Sequence, residues 1–156
     1  MMLHPMFDYL DYKKAAIAAL QDYGNQAIIL EHADDLTAHT RMSMTSIPTP
    51  SYSGMPSAHN PRSAENKLVG AISRLEELSD RKARAKAYMD WFTPMWEQLS
   101  DEDKFVLDAF FLDSATSEDA ATRVAEHFYV ERKTAFQKKQ RAVARLAKLL
   151  YAQPVG

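Results

Sequence analysis

Residues 118–150 read EDAATRVAEHFYVERKTAFQKKQRAVARLAKLL, and the apolar spacing in this stretch decides the fold class. Ala121, Val124, Ala125 and Phe128 recur at steps of three and one, so they share one side of a helix that begins around Glu118. From Arg132 to Leu150 the residues Ala135, Ala142, Val143, Leu146, Leu149 and Leu150 trace a second buried stripe. Between the two lies Tyr129-Val130-Glu131, long enough only for a tight connection. Immediately upstream, Ser100-Asp101-Glu102-Asp103 offers a capping hydroxyl and three acids where free N–H groups and the helix dipole favour them. Phe105, Val106, Ala109 and Phe110 then form an inner face, and Ser114 to Ser117 separates this helix from the next. Three short helices in about 50 residues make a small globular domain.

Further out, the chain predicts two long helices. From about Met6 to Arg41, Leu10, Ile17, Leu20, Ala27 and Leu30 keep one stripe on one face through steps of seven and three, with a weak point at Gly24-Asn25. Residues 42–63 change character, with six Ser, four Pro and two Thr in 22 positions, and predict a loop or linker. Helical spacing returns at Ala64 and runs through Leu68, Ile72, Leu75, Ala85, Met89 and Phe92. Thr93-Pro94 reads as the cap and first turn of a short helix, so the chain is expected to bend there. Two amphipathic helices joined by a flexible segment fold back most simply as an antiparallel hairpin, with a dimeric coiled coil as the competing arrangement. The expected architecture is all-α: a long helical hairpin over residues 1–98 and a helix-turn-helix domain over residues 99–151.

Composition excludes several chemistries. The 156 residues include no cysteine, which removes disulfides, thiolate zinc sites and thiol catalysis, and fits a reducing cytoplasm. Four glycines leave no Gly-rich phosphate loop. Asp8, Asp11, Lys13 and Lys14 interrupt the apolar start, so it lacks a signal-peptide core, and no stretch is long enough for a membrane span. His32, Asp35 and His39 stand at helical spacing without forming a recognised metal motif. The acids at Asp101 to Asp103 are accounted for by the helix start, so no catalytic carboxylate pair is indicated. Trp91 and Trp96 read as core. Neither an enzyme nor a cofactor is implied.

The charge pattern is more specific. Arg132, Lys133, Lys138, Lys139, Arg141, Arg145 and Lys148 put +7 on the last helix with no acid among them, while the rest of the chain carries −9. Glu97 to Asp119 holds eight acids and only Lys104. A net charge of −2 therefore conceals a local basic surface that suits a duplex.

A second helix that is basic and follows a three-residue turn matches the plan of a helix-turn-helix. Val124-Ala125, Phe128, Val130, Ala135, Ala142 and Leu146 resemble, in ungapped register, the apolar skeleton of the fourth region of bacterial primary sigma factors. Leu99 to Leu107 is similar to the opening helix of that region and Arg141 to Leu146 to its closing segment. The arrangement of the whole chain resembles phage and prophage transcriptional regulators of the ArpU type. The resemblance implies promoter binding, with double-stranded DNA as partner and bacterial RNA polymerase as an optional second one, and the lack of a membrane-length apolar stretch leaves no membrane partner expected. The resemblance assigns base reading to Arg132, Lys133, Phe136, Gln137 and Gln140, with Lys139 and Arg141 nearby, although Phe136, an aromatic next to a core position, reads by itself as packing, against the long hairpin, more than as a base contact. Arg and Gln can pair with guanine and adenine edges, whereas Lys mainly neutralises phosphate. Glu131 stands where the family usually has a capping Ser, Tyr129 where it has Gly, and Lys138 where it has an apolar residue. Four to six engaged phosphates would give a log-log salt slope of roughly −4 to −5.

Two other readings fit the same residues. One is an interaction protein whose hairpin and basic helix grip a polymerase subunit or another protein without touching DNA. The other is a DNA-packaging adaptor that assembles as a ring. A homodimer through the long helices is compatible with either.

Overall fold

A computed structural model describes residues 10–45 and 61–151, and the described residues form five helices and no strand. They are α1 (Tyr12–Thr45), α2 (Pro61–Glu97), α3 (Asp101–Phe111), α4 (Ser117–Phe128) and α5 (Arg132–Tyr151). The all-α class expected from the spacing is what the chain adopts. The chain divides into two compact units. One joins the described residues up to Gly24 to those from Met89 onward, and the other holds the described residues of Asn25–Tyr88. Each long helix therefore contributes to both, and the division expected after residue 98 falls inside the first unit.

In the first unit α3, α4 and α5 pack on one another. Their buried side chains include Val106, Leu107 and Phe110 from α3, Ala121 and Val124 from α4, and Ala135, Ala142, Val143 and Leu146 from α5. Ala16 and Leu20 of α1 and Phe92 of α2 are also buried. Burying each Leu, Val or Phe contributes about 1.5–3 kcal/mol, so this interior outweighs any single surface contact. The helix starts are chemically defined. The Asp11 carboxylate accepts the Lys14 N–H at 3.1 Å, the Ser100 hydroxyl accepts the Asp103 N–H at 3.2 Å, and the Thr116 hydroxyl accepts the Asp119 N–H at 3.1 Å. At the other end of α5 the Trp91 indole N–H donates to the Leu150 carbonyl at 3.0 Å, satisfying an acceptor that a helix end leaves without a partner. Tyr151 packs edge-on to Trp91 and tilted against Tyr12. Trp91 and Trp96, expected as core, are both half-buried.

In the second unit Ala33, Leu78 and Ala85 are buried, and the Lys82 ammonium donates to the Asp34 carboxylate at 2.6 Å, linking α1 to α2. Arg74 and Arg81 flank Glu77 along α2 at helical spacing.

Three expectations are corrected. Leu10 is exposed rather than on the buried stripe, because α1 starts only at Tyr12, behind the Asp11 cap. The long first helix runs through Gly24-Asn25 as expected, and the two compact units divide between these two residues. Leu68 and Ile72 were expected inward but stand exposed with Val69, since the buried side of α2 in this unit is carried by Leu78 and Ala85. The chain does not break at Thr93-Pro94, because Pro94 lies inside the last turns of α2. The Thr93 hydroxyl turns to Met89 Sδ rather than capping a new helix. The anchored rings of Phe92 and Trp96, stacked at 6.0 Å, hold this turn helical. The carbonyl that loses its N–H donor belongs to exposed Asp90, where solvent can replace it. Of the expected linker at 42–63, both ends are helical, residues 42–45 in α1 and 61–63 in α2. The middle of that linker and the stretch before Leu10 lie outside the described residues.

Candidate nucleic-acid interface

The candidate interface is the outer side of α5, and the connection before it fixes how α5 is presented. Tyr129 takes a left-handed backbone, φ 54° and ψ 47°, and both its N–H and that of Val130 donate to the Ala125 carbonyl. Such a closure of a helix end usually uses glycine, because a Cβ crowds the following carbonyl. Tyr129 accepts this conformation with its side chain 95% exposed. The resemblance leads to the expectation of Gly at this position, and Tyr129 occupies the left-handed backbone there instead. Among the described residues, no side chain caps α5; Glu131 contributes only its carbonyl, to the Ala135 N–H.

From Arg132 onward α5 separates into two faces. Ala135, Ala142, Val143, Leu146, Ala147 and Leu150 are buried against α3 and α4. Lys133, Gln137, Gln140, Arg141 and Lys148 are exposed, and steps of four, three and one followed by seven hold them on one side of the helix. Among the described residues, Lys133, Arg141 and Lys148 enter no ion pair.

The other cations of α5 are engaged within the domain. Arg145 donates to both carboxylate oxygens of Asp103, at 2.7 and 2.8 Å. Asp103 is only 5% exposed, so the guanidinium compensates a charge already removed from water. The bond in turn raises the pKa of Arg145. Lys138 pairs with Glu102 and lies over the Phe128 ring at 4.9 Å. The hydrogen bond from Lys138 holds the Glu102 carboxyl below its ordinary value. Arg132 pairs with Glu118 in the first turn of α4. Lys139 sits over Phe110 and Phe111, 5.2 and 5.5 Å from the ring centres.

The charge sorting inferred from the sequence is thereby corrected. Acids from the first turns of α3 and α4 fold onto the basic helix, and three of its seven cations are neutralised from inside the domain. The sequence treats Asp101 to Asp103 as one cap, but only Asp103 turns inward. Partners 36 and 42 positions apart leave no local signal. The available hint was the charge pattern itself: acids at two helix starts and cations along the helix that packs on both.

The expected readers divide accordingly. Lys133, Gln137, Gln140 and Arg141 share the outward face. Arg132 is exposed but tied to Glu118. Phe136 is half-buried with its ring 5.7 Å from that of Phe110, so it packs against α3. Lys139, beside it, covers the same aromatic pair.

A further aromatic cluster lies on α3 and α4. Phe105 stacks on His127 at 3.9 Å, meets Phe128 edge-on, and has the Arg123 guanidinium above it at 5.3 Å. It braces α4 against α3, and sequence spacing gave no sign of the His127 contact.

No helix among the described residues is long and apolar enough to cross a membrane. The chain matches no protein-family model, no curated protein and no solved structure.

Proposed function

We propose that this protein is a sequence-specific DNA-binding transcriptional regulator of phage or prophage type, in which α5 enters the major groove in the manner of a sigma-like helix-turn-helix. The observation that supports this is the outward face of α5: Lys133, Gln137, Gln140, Arg141 and Lys148 lie together, exposed, and the three cations enter no ion pair among the described residues. Gln137 and Gln140 carry amides able to pair with an adenine edge, and Arg141 can fork onto guanine or phosphate. Lys133 and Lys148 neutralise phosphates and set the register. Phe136 acts as a strut against Phe110 rather than as a reader.

Three or four cations available to phosphate reduce the expected salt dependence from the charge-count value to a log-log slope of about −3. An exposed pair such as Arg132–Glu118 is worth under about 1 kcal/mol, so phosphate can compete for its guanidinium and steepen the slope slightly. The experiment is selection of bound fragments from random DNA by the full chain, followed by a salt titration on the enriched site. Gln137→Ala is expected to relax base preference at one position, whereas Lys133→Ala weakens all sequences alike. Failure to enrich any sequence, together with a slope near zero, would overturn the reading. It would favour an α5 that grips a polymerase subunit or another protein instead.

A further inference from the structure

A second site lies away from the outward face of α5, within the first unit. A cavity of about 200 Å³ is walled by Tyr23 of α1, by Phe92, Trp96 and Glu97 of α2, and by Asp108 of α3. Its aromatic wall is continuous. Tyr23 and Phe92 have ring centres 5.6 Å apart, and Phe92 and Trp96 lie 6.0 Å apart and nearly parallel.

The two carboxylates in the wall differ in what answers them. Glu97 has the Lys104 ammonium at 3.4 Å. Asp108 is half-buried, and among the described residues its side chain takes part in no ion pair or hydrogen bond. The nearby Arg123 guanidinium is paired with Asp113 instead. Burial, with the Asp113 charge, raises the Asp108 pKa, and the Arg123 charge offsets this only in part. The cavity therefore presents π systems together with a carboxylate that no ion pair or hydrogen bond answers directly among the described residues.

This combination selects by chemistry. An anion is repelled. A neutral apolar molecule fills the space but leaves the carboxylate desolvated and alone. A small inorganic cation surrenders its hydration for rings that return little. An ammonium bearing methyl groups, or a guanidinium, satisfies both elements because its charge is spread over a weakly hydrated surface that aromatic rings attract. At about 200 Å³ the space is smaller than the roughly 300 Å³ at which pockets for drug-sized ligands begin, so it suits a head group or the end of a side chain. We propose that this cavity binds a small organic cation, with Asp108 supplying the charge and Tyr23, Phe92 and Trp96 the aromatic walls. The proposal is independent of whether α5 reads DNA.

The test is an NMR titration of the full chain with choline and with butylguanidinium, following the indole N–H resonances. The Trp96 resonance is expected to shift saturably, while that of Trp91, whose N–H is held by the Leu150 carbonyl, stays in place. The uncharged choline isostere 3,3-dimethylbutanol is expected to bind at least about tenfold more weakly, and Asp108→Asn to weaken choline by a similar factor. Tyr23→Leu, which removes a ring and keeps an apolar wall, provides a second variant with a several-fold loss should Asp108→Asn fold poorly. A peptide carrying trimethyl-lysine distinguishes the source of the cation. Tighter binding than choline by tenfold or more marks a protein-borne group, and equal binding marks a free amine; both support the site. Equal affinity for choline and its isostere, unchanged affinity in Asp108→Asn, or no saturation by either cation up to about 10 mM would overturn it.

Discussion

Tyr129 shows how one residue can carry a structural cost that its neighbours impose. The turn between α4 and α5 needs a left-handed residue, and a side chain there costs about 1–2 kcal/mol relative to glycine. Its ring is almost wholly exposed and returns little of this through burial. Tyr129→Gly is expected to raise stability by about 1 kcal/mol, after allowance for the greater freedom of glycine in the unfolded chain, while Tyr129→Ala gives no such gain. Urea unfolding midpoints of the two variants check this. Asp108 is a second residue held at a disadvantage, and its sign can be worked out. Its folded pKa lies above the ordinary 3.8, so between the two values the native chain holds more protons than the unfolded one. Stability contributed by the protonated form is lost as pH rises through that window. Asp108→Asn is therefore expected to raise the melting temperature at about pH 7 and to leave it nearly unchanged at about pH 3, as parallel thermal melts would show. Glu102 has the opposite sign: Lys138 lowers its pKa, so its contribution is present above the ordinary value of 4.5 and fades as pH falls through the lowered one.

At the scale of helices, local chemistry was legible and long-range chemistry was not. Ser100 as a cap, the Tyr129–Glu131 turn and the inner faces of α3, α4 and α5 follow from hydroxyls, acids and apolar spacing that act within one or two turns. The continuity of α2 through Pro94 depends on rings packed against distant segments, which spacing does not encode. For the interface, the exposed side of α5 was readable from periodicity. The loss of Arg132, Lys138 and Arg145 to Glu118, Glu102 and Asp103 was not, because each partner sits on another helix. Gly24 gives the element-scale prediction. It lies within α1, and a Cβ built there meets nothing within 4 Å, so its only effect on the helix is the loss of backbone order that glycine brings. Gly24→Ala is expected to stabilise the chain by about 0.5–1 kcal/mol, measured by the shift in urea midpoint.

For the whole molecule, the C-terminal three helices do not complete their own support. The α5 carbonyl at Leu150 is answered by Trp91, Tyr151 packs on Trp91 and Tyr12, and Leu20 and Phe92 are buried in the same unit. A fragment spanning 99–151 is therefore expected to melt well below the full chain, since it leaves the Leu150 acceptor without Trp91 and exposes apolar surface worth several kcal/mol. Circular dichroism melts of the two proteins check this, and an equal melting temperature would show the contacts to be dispensable. The passage of α1 and α2 out of one unit and into the other also constrains how the gene can be recombined. No single crossover separates the two units. A chimaera that exchanges the first unit needs two junctions, one within each long helix, and each must preserve the rotational phase of the helix on either side.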